Sequence, residues 1–189
     1  MTMEELMKNP SFIIYCGPMF GSKTSRLLTR LDRLSYQKKK FITFKPDIDT
    51  RYNKNHITTH LGAKVQAICV KNGHSMVKYI QDMHSVIAVD EAFMIPGVAE
   101  VLIDQYKKGK TILISSLDMS ATLQPFDEME KMYRWATRIE KCPAVCTMCE
   151  KDAYYTIKKT SSDNEIEVGG AELYEPRCFQ HNSYINKEV

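Results

Sequence analysis

Between residues 11 and 118, short apolar runs rich in β-branched residues alternate with longer amphipathic stretches. That alternation constrains the chain to strand–helix–strand units laid into a largely parallel sheet. Residues 11–16 read as a buried strand. A glycine-containing turn follows, then a helix over residues 23–37 with Leu27, Leu28, Leu31 and Leu34 on one face. Arg26, Arg30 and Arg33 fall on another face and read as its solvated side. Residues 41–44, 65–70, 86–89 and 111–114 supply the second to fifth strands. Helices are expected over residues 73–83 and 97–108, the second behind Pro96 and closed by Lys107, Lys108 and Gly109. After Asp118 the pattern weakens into a loop, a short helix near residues 126–135 and a strand running into Cys142. Two more strands are expected at residues 154–159 and 165–168.

At 189 residues, with 43% apolar and 26% charged side chains, the chain fits one α/β domain with a small appendage. This excludes a multidomain machine and a disordered chain. A net charge of +3 excludes a chain that grips polyanions along its whole surface. No apolar run approaches the ~20 residues of a membrane span, and the first ten residues carry no apolar signal core. A cytoplasmic location is expected.

The turn after the first strand reads Gly17-Pro18-Met19-Phe20-Gly21-Ser22-Lys23-Thr24. Between a strand and a helix, such a turn cradles phosphate on its backbone N–H groups, sends a lysine to the terminal phosphates and offers a hydroxyl to magnesium. The usual pattern places glycine immediately before the lysine; here that residue is Ser22 and the glycine stands one earlier. If position 22 requires a left-handed backbone, serine costs on the order of 1–2 kcal/mol there. A second motif sits where its partner belongs: residues 86–89 lead into Asp90-Glu91, two carboxylates at a strand's C-terminal end, where α/β sheets bind ligands. One can hold magnesium and the other accept a proton. Together the motifs imply ATP and magnesium, and leave open whether the phosphate acceptor is water or an alcohol.

Four of the six cysteines follow residue 141. Cys146-Thr-Met-Cys149 and Cys178-Phe-Gln-His181 form two pairs at two-residue spacing, a Cys3His set suited to structural zinc in a zinc ribbon. Cys142 is a possible competitor without a close-spaced partner. Cys16 and Cys69 read as buried core thiols.

Taken together, the chain resembles the type II thymidine kinases over residues 11–181. The resemblance rests on Gly17 to Phe20 with Lys23 and Thr24, on Lys45-Pro-Asp-Ile-Asp49-Thr-Arg51-Tyr52, on Thr59-His60 and on Asp90-Glu91. Leu117-Asp118-Met119, Pro125-Phe126, the two metal pairs and Gly169-Gly-Ala-Glu-Leu-Tyr174 complete it. It implies a P-loop, RecA-like α/β domain over residues 1–141 and a zinc-binding lasso domain over residues 142–189. It also implies a homotetramer, feedback inhibition by the triphosphate end product, and transfer of the ATP γ-phosphate to the 5′-hydroxyl of thymidine or deoxyuridine, with no nucleic-acid or membrane partner. Carried over by position, Lys23, Thr24 and Asp90 serve ATP and magnesium, Glu91 is the base, and Asp49 and Arg51 reach the phosphates. Met19, Leu117 and Phe126 line the base pocket, Glu167, Val168, Gly169 and Gly170 meet the base edge, and Tyr174 closes on the nucleoside. The chain departs from the family at Ser22, at Phe93 and Met94 in place of glutamine and an aromatic, and at Ala121 in place of an aromatic. A rearranged pocket, a modified pyrimidine substrate and a fold without catalysis are the alternatives these departures raise.

Overall fold

The computed structural model describes residues 9–49, 55–59, 62–159 and 168–186. Six strands form one sheet, parallel throughout: β1 (Phe12–Cys16), β2 (Phe41–Pro46), β5 (Ile68–Val70), β6 (Val86–Asp90), β7 (Thr111–Ser116) and β8 (Arg138–Lys141), in the order β5-β2-β6-β7-β1-β8. Their near-continuous apolar runs are explained by burial on both faces. Alternation along each strand divides the core into two layers. Phe12, Ile14, Phe44, Ile87, Val89, Ile112 and Ile114 face α2 (Val98–Lys107) and α3 (Asp127–Tyr133). Ile13, Val86, Ala88 and Leu113 face Leu27, Leu31 and Leu34 of α1 (Lys23–Tyr36). The expected leucine stripe is buried on α1, and Arg26, Arg30 and Arg33 are exposed.

Three expectations change. Residues 65–70 are not one strand. Lys64–Gln66 is β4, paired antiparallel with β3 (His56–Thr58) in a separate hairpin, while β5 joins the main sheet. Between them Ala67 N–H donates to the Asn55 carbonyl at 2.9 Å, which turns the chain from one sheet to the other. The helix expected over residues 73–83 is a 3-10 helix, His74–Tyr79. Gly73 opens it pressed against Gly97, whose carbonyl oxygen would lie 2.2 Å from an added Cβ. In the C-terminal region, β11 (Tyr155–Lys158) pairs antiparallel with β12 (Tyr174–Arg177), a strand the sequence pattern does not indicate. Residues 165–167 lie outside the described residues, and Val168 is in no strand. Two two-residue strands, β9 (Ala144–Val145) and β10 (Asp152–Ala153), form the other small hairpin.

Candidate active site and metal centre

The C-terminal ends of β1, β2 and β6 bring the chemistry-bearing residues to one edge of the sheet. They open into a cleft lined by Met19, Phe20, Gly21, Ser22, Lys23, Thr24, Lys45, Asp49, Asp90, Glu91 and Gly170, among others. Ser22 stands at φ 57°, the left-handed region, immediately before α1, so the strain considered from sequence is present. The glycine one residue earlier serves a different need. A Cβ at Gly21 would sit 2.5 Å from the Cys142 carbonyl oxygen, and one at Gly17, with φ 137°, would sit 2.4 Å from the same atom. The loop is thus pressed against the end of β8, where Cys142 N–H donates to the Cys16 carbonyl at 2.7 Å. From the other side the Thr156 hydroxyl of β11 accepts the Met19 N–H at 3.0 Å.

Lys23 is buried and donates to the Pro18 carbonyl at 2.6 Å. Burial pushes its ammonium below the ordinary value, opposed by the charges of Glu91, Asp118 and Asp90. Thr24 Oγ1 donates to Asp90 Oδ1 at 3.0 Å, and the Ser115 hydroxyl of β7 donates to the same oxygen. Burial, with the Glu91 charge beside it, pushes the Asp90 carboxyl up to about 7 against those two hydrogen bonds. Glu91 follows at φ 50° on the short turn to the 3-10 helix Ala92–Met94. The first-turn N–H groups of α1 have no acceptor within the helix and the helix dipole favours negative charge there, so the cleft suits a phosphate. The hydroxyl of Thr24 and the carboxylate of Asp90 are hard oxygen donors of the kind magnesium takes. Burial and the neighbouring Glu91 charge both disfavour the ionised Asp90, and a divalent cation held by these oxygens would offset both, so the donor set fits one.

Two charged residues belong to this region that sequence reasoning did not place. Lys45, at the end of β2, is 2% exposed and lies 3.8 Å from Asp49, itself 4% exposed. Asp118, just past β7, pairs with Lys141 at 3.0 Å. Both occur in the motifs that carry the resemblance, without a role of their own, and each stands at or just past the C-terminal end of an apolar strand, the sheet's ligand-binding edge. Arg51 and Glu167 lie outside the described residues.

The expected nucleoside residues are dispersed. Met19 and Gly170 line the cleft, whereas Phe126 is buried against Phe93 with ring centroids 4.5 Å apart. Leu117 and Val168 pack against the same apolar layer as these two rings. Gly169 stands beside Leu173, and the Tyr174 N–H donates to the Gly170 carbonyl at 3.0 Å.

The four expected metal ligands meet. The donor atoms of Cys146, Cys149, Cys178 and His181 lie within 4.8 Å of one another. Cys149 Sγ and Cys178 Sγ are 3.7 Å apart, Cys146 Sγ is 3.8 Å from His181 Nδ1, and Cys178 Sγ is 3.2 Å from that nitrogen. Tetrahedral zinc with Zn–S near 2.3 Å places sulfurs about 3.8 Å apart, so the set fits zinc and leaves no open position. For Cys146 burial acts upward, but N–H groups of Cys178, Met148 and Cys149 and the His181 ring outweigh it and bring the thiol down to about 6. Cys142 is no competitor: it is buried in the apolar layer beside α1. Cys16 is a buried thiol as expected, while Cys69 is only partly buried.

Among the described residues no helix is long and apolar enough to cross a membrane. The thymidine kinase family model matches residues 11–182. A thymidine kinase of Mycoplasma genitalium is 32% identical over 180 residues, which cover 93% of this chain and 84% of that protein. The loop, the paired acids and the Cys3His cluster therefore sit in a chain that belongs to the thymidine kinase family, a family of phosphotransferases.

Proposed function

We propose that this chain transfers the γ-phosphate of ATP to the 5′-hydroxyl of thymidine or deoxyuridine. The observation that carries the reading is the meeting of Lys23, Thr24, Asp90 and Glu91 in one cleft. In this reading the loop from Gly17 to Thr24 holds the phosphates through its N–H groups, and Lys23 leaves the Pro18 carbonyl for the terminal oxygens. Thr24 and Asp90 hold magnesium, which when bound supplies charge neutralisation on the phosphates. Glu91 accepts the proton of the 5′-hydroxyl, and Asp49 and Arg51 act on the phosphate side. Met19, Leu117, Phe126, Glu167, Val168, Gly169, Gly170 and Tyr174 receive the nucleoside. Cys146, Cys149, Cys178 and His181 hold zinc in a structural role. Residues 1–141 form the nucleotide-binding domain and residues 142–189 the metal-binding lasso, in a cytoplasmic homotetramer.

ATP-dependent phosphorylation measured across thymidine, deoxyuridine and 5-substituted deoxyuridines tests this. Turnover with at least one is expected, and turnover with none would reject it. The second reading, a nucleotide-binding protein without catalysis, is favoured by the strained Ser22. It predicts ATP binding with no product from any of these nucleosides.

A further inference from the structure

Among the described residues lining the cleft, Lys45 is the charged one to which the roles above give no part. Its place follows from the ladder. In the register of β2 with β6, Phe44 lies opposite Val89, so the next residues, Lys45 and Asp90, are neighbours on adjacent strands. Phe44 and Val89 belong to the apolar layer beside α2 and α3, so alternation turns Lys45 and Asp90 to the face that carries α1. On the other side of Asp90 in the same ladder stands Ser115 of β7. The strand order puts β1 and its phosphate loop beyond β7, and Lys45 on the opposite flank. A chain of phosphates that starts in the loop and crosses Asp90 therefore ends at Lys45.

The charge balance agrees with that placement. A lysine 2% exposed needs close compensation, since an ammonium removed from water is costly unless paired and hydrogen-bonded. Its ion pair with Asp49 is 3.8 Å long, beyond hydrogen-bonding reach. The ammonium thus stands at the cleft wall with its hydrogen-bond donors out of reach of the Asp49 carboxylate.

We infer that Lys45 is a phosphate-contacting residue that binds the terminal phosphoryl group of the triphosphate beside Lys23, moving from Asp49 onto its oxygens. This deepens the reading under Proposed function and rests on it. The decisive property is discrimination: a group that touches only the terminal phosphate distinguishes triphosphate from diphosphate, whereas a structural lysine does not. Calorimetry of wild type and Lys45→Met with a non-hydrolysable ATP analogue and with ADP, both with magnesium, reads this directly. The variant is expected to lose roughly ten- to a hundredfold in affinity for the analogue, the scale of a charge-assisted hydrogen bond, and less than about threefold for ADP. Equal losses for both ligands, or no loss for either, would overturn the inference. If Lys45→Met leaves Asp49 too poorly compensated to fold, the wild type itself supplies the test. The Cε resonance of Lys45, assigned by its absence from Lys45→Arg, should shift with the analogue and stay in place with ADP. A shift shared by both ligands, or absent with both, overturns the inference as well. Failure of the wild type to bind either nucleotide would instead reject the parent reading.

Discussion

The phosphate edge of the sheet and the Cys3His hairpins are built by opposite means. The sheet is buried on both faces by layers that include Phe12, Ile14, Ile112 and Ile114 on one side and Leu27, Leu31 and Leu113 on the other. Among the described residues the hairpins gather a small buried apolar cluster of Ala144, Cys146, Ala153 and Cys178, with Phe20 and Cys149 packed against it; Cys146, Cys149 and Cys178 belong to the Cys3His set. The side chain of Arg177 adds a polar tie, donating to the Thr147 hydroxyl and the Glu175 carboxylate. Hydrophobic burial of about 1.5–3 kcal/mol per large side chain can fix the sheet without help. A core this small fixes four short strands weakly, so under the proposed structural zinc, ligation supplies what burial lacks. The two regions nevertheless touch at the point of function, because Thr156 of β11 holds the Met19 N–H and the Cys142 carbonyl limits Gly17 and Gly21.

Removing the metal is the harshest way to break this comparison. Structural zinc contributes apparent binding energies of about 10–16 kcal/mol in small zinc-finger domains. After verified chelation, hydrogen exchange at Tyr155–Lys158 and Tyr174–Arg177 should lose its protection while β1, β6 and β7 keep theirs. Simultaneous loss in both regions, or unchanged protection in the hairpins, would erase the distinction.

A smaller effect belongs to the sheet edge alone. The Asp90 carboxyl is raised to about 7 from an ordinary 3.8, so the folded chain holds a proton that the unfolded chain has released. The stability associated with that proton is full below about pH 4 and is lost as pH rises to about 7. Asp90→Asn should flatten this slope and exceed wild type above pH 7 by on the order of a few kcal/mol, by urea unfolding of the ligand-free protein. An unchanged slope would mean the carboxylates are already compensated. Smallest is Ser22→Gly, which relieves the left-handed strain at φ 57°. A gain of about 1 kcal/mol is expected, with none from Ser22→Ala, and no gain from glycine would show the serine to be held by other contacts.

The same contrast explains what was legible in the sequence. β1, β2, β6 and β7 are continuous apolar runs because both faces are covered, and α1 shows its leucines at helical spacing because one face is. The loop, the paired acids and the two Cys/His pairs are local motifs, so their spacing was enough to single out residues that meet in one cleft and in one Cys3His cluster. β3 and β4 are three residues each, and β4 runs into β5 with only Ala67 between, so six residues that read as one strand divide between two sheets. β12 contains Pro176, which argues against a strand in isolation but is accommodated opposite Thr156 in a two-stranded hairpin. Lys45 was invisible as a cleft residue because only the β2–β6 register puts it beside Asp90. The exchange of glycine and serine at positions 21 and 22 was visible, but the reason for glycine at 21 is the Cys142 carbonyl, 121 residues away in the chain.

The central claim is that the cleft joining the phosphate loop to the paired acids performs phosphoryl transfer with Glu91 as the base. The most direct test is steady-state turnover of wild type and Glu91→Gln with ATP, magnesium and the best nucleoside substrate, with nucleotide affinity measured on the same samples. The account predicts turnover lowered by about 10²–10⁴ with ATP affinity nearly unchanged. Turnover of Glu91→Gln equal to wild type would contradict it.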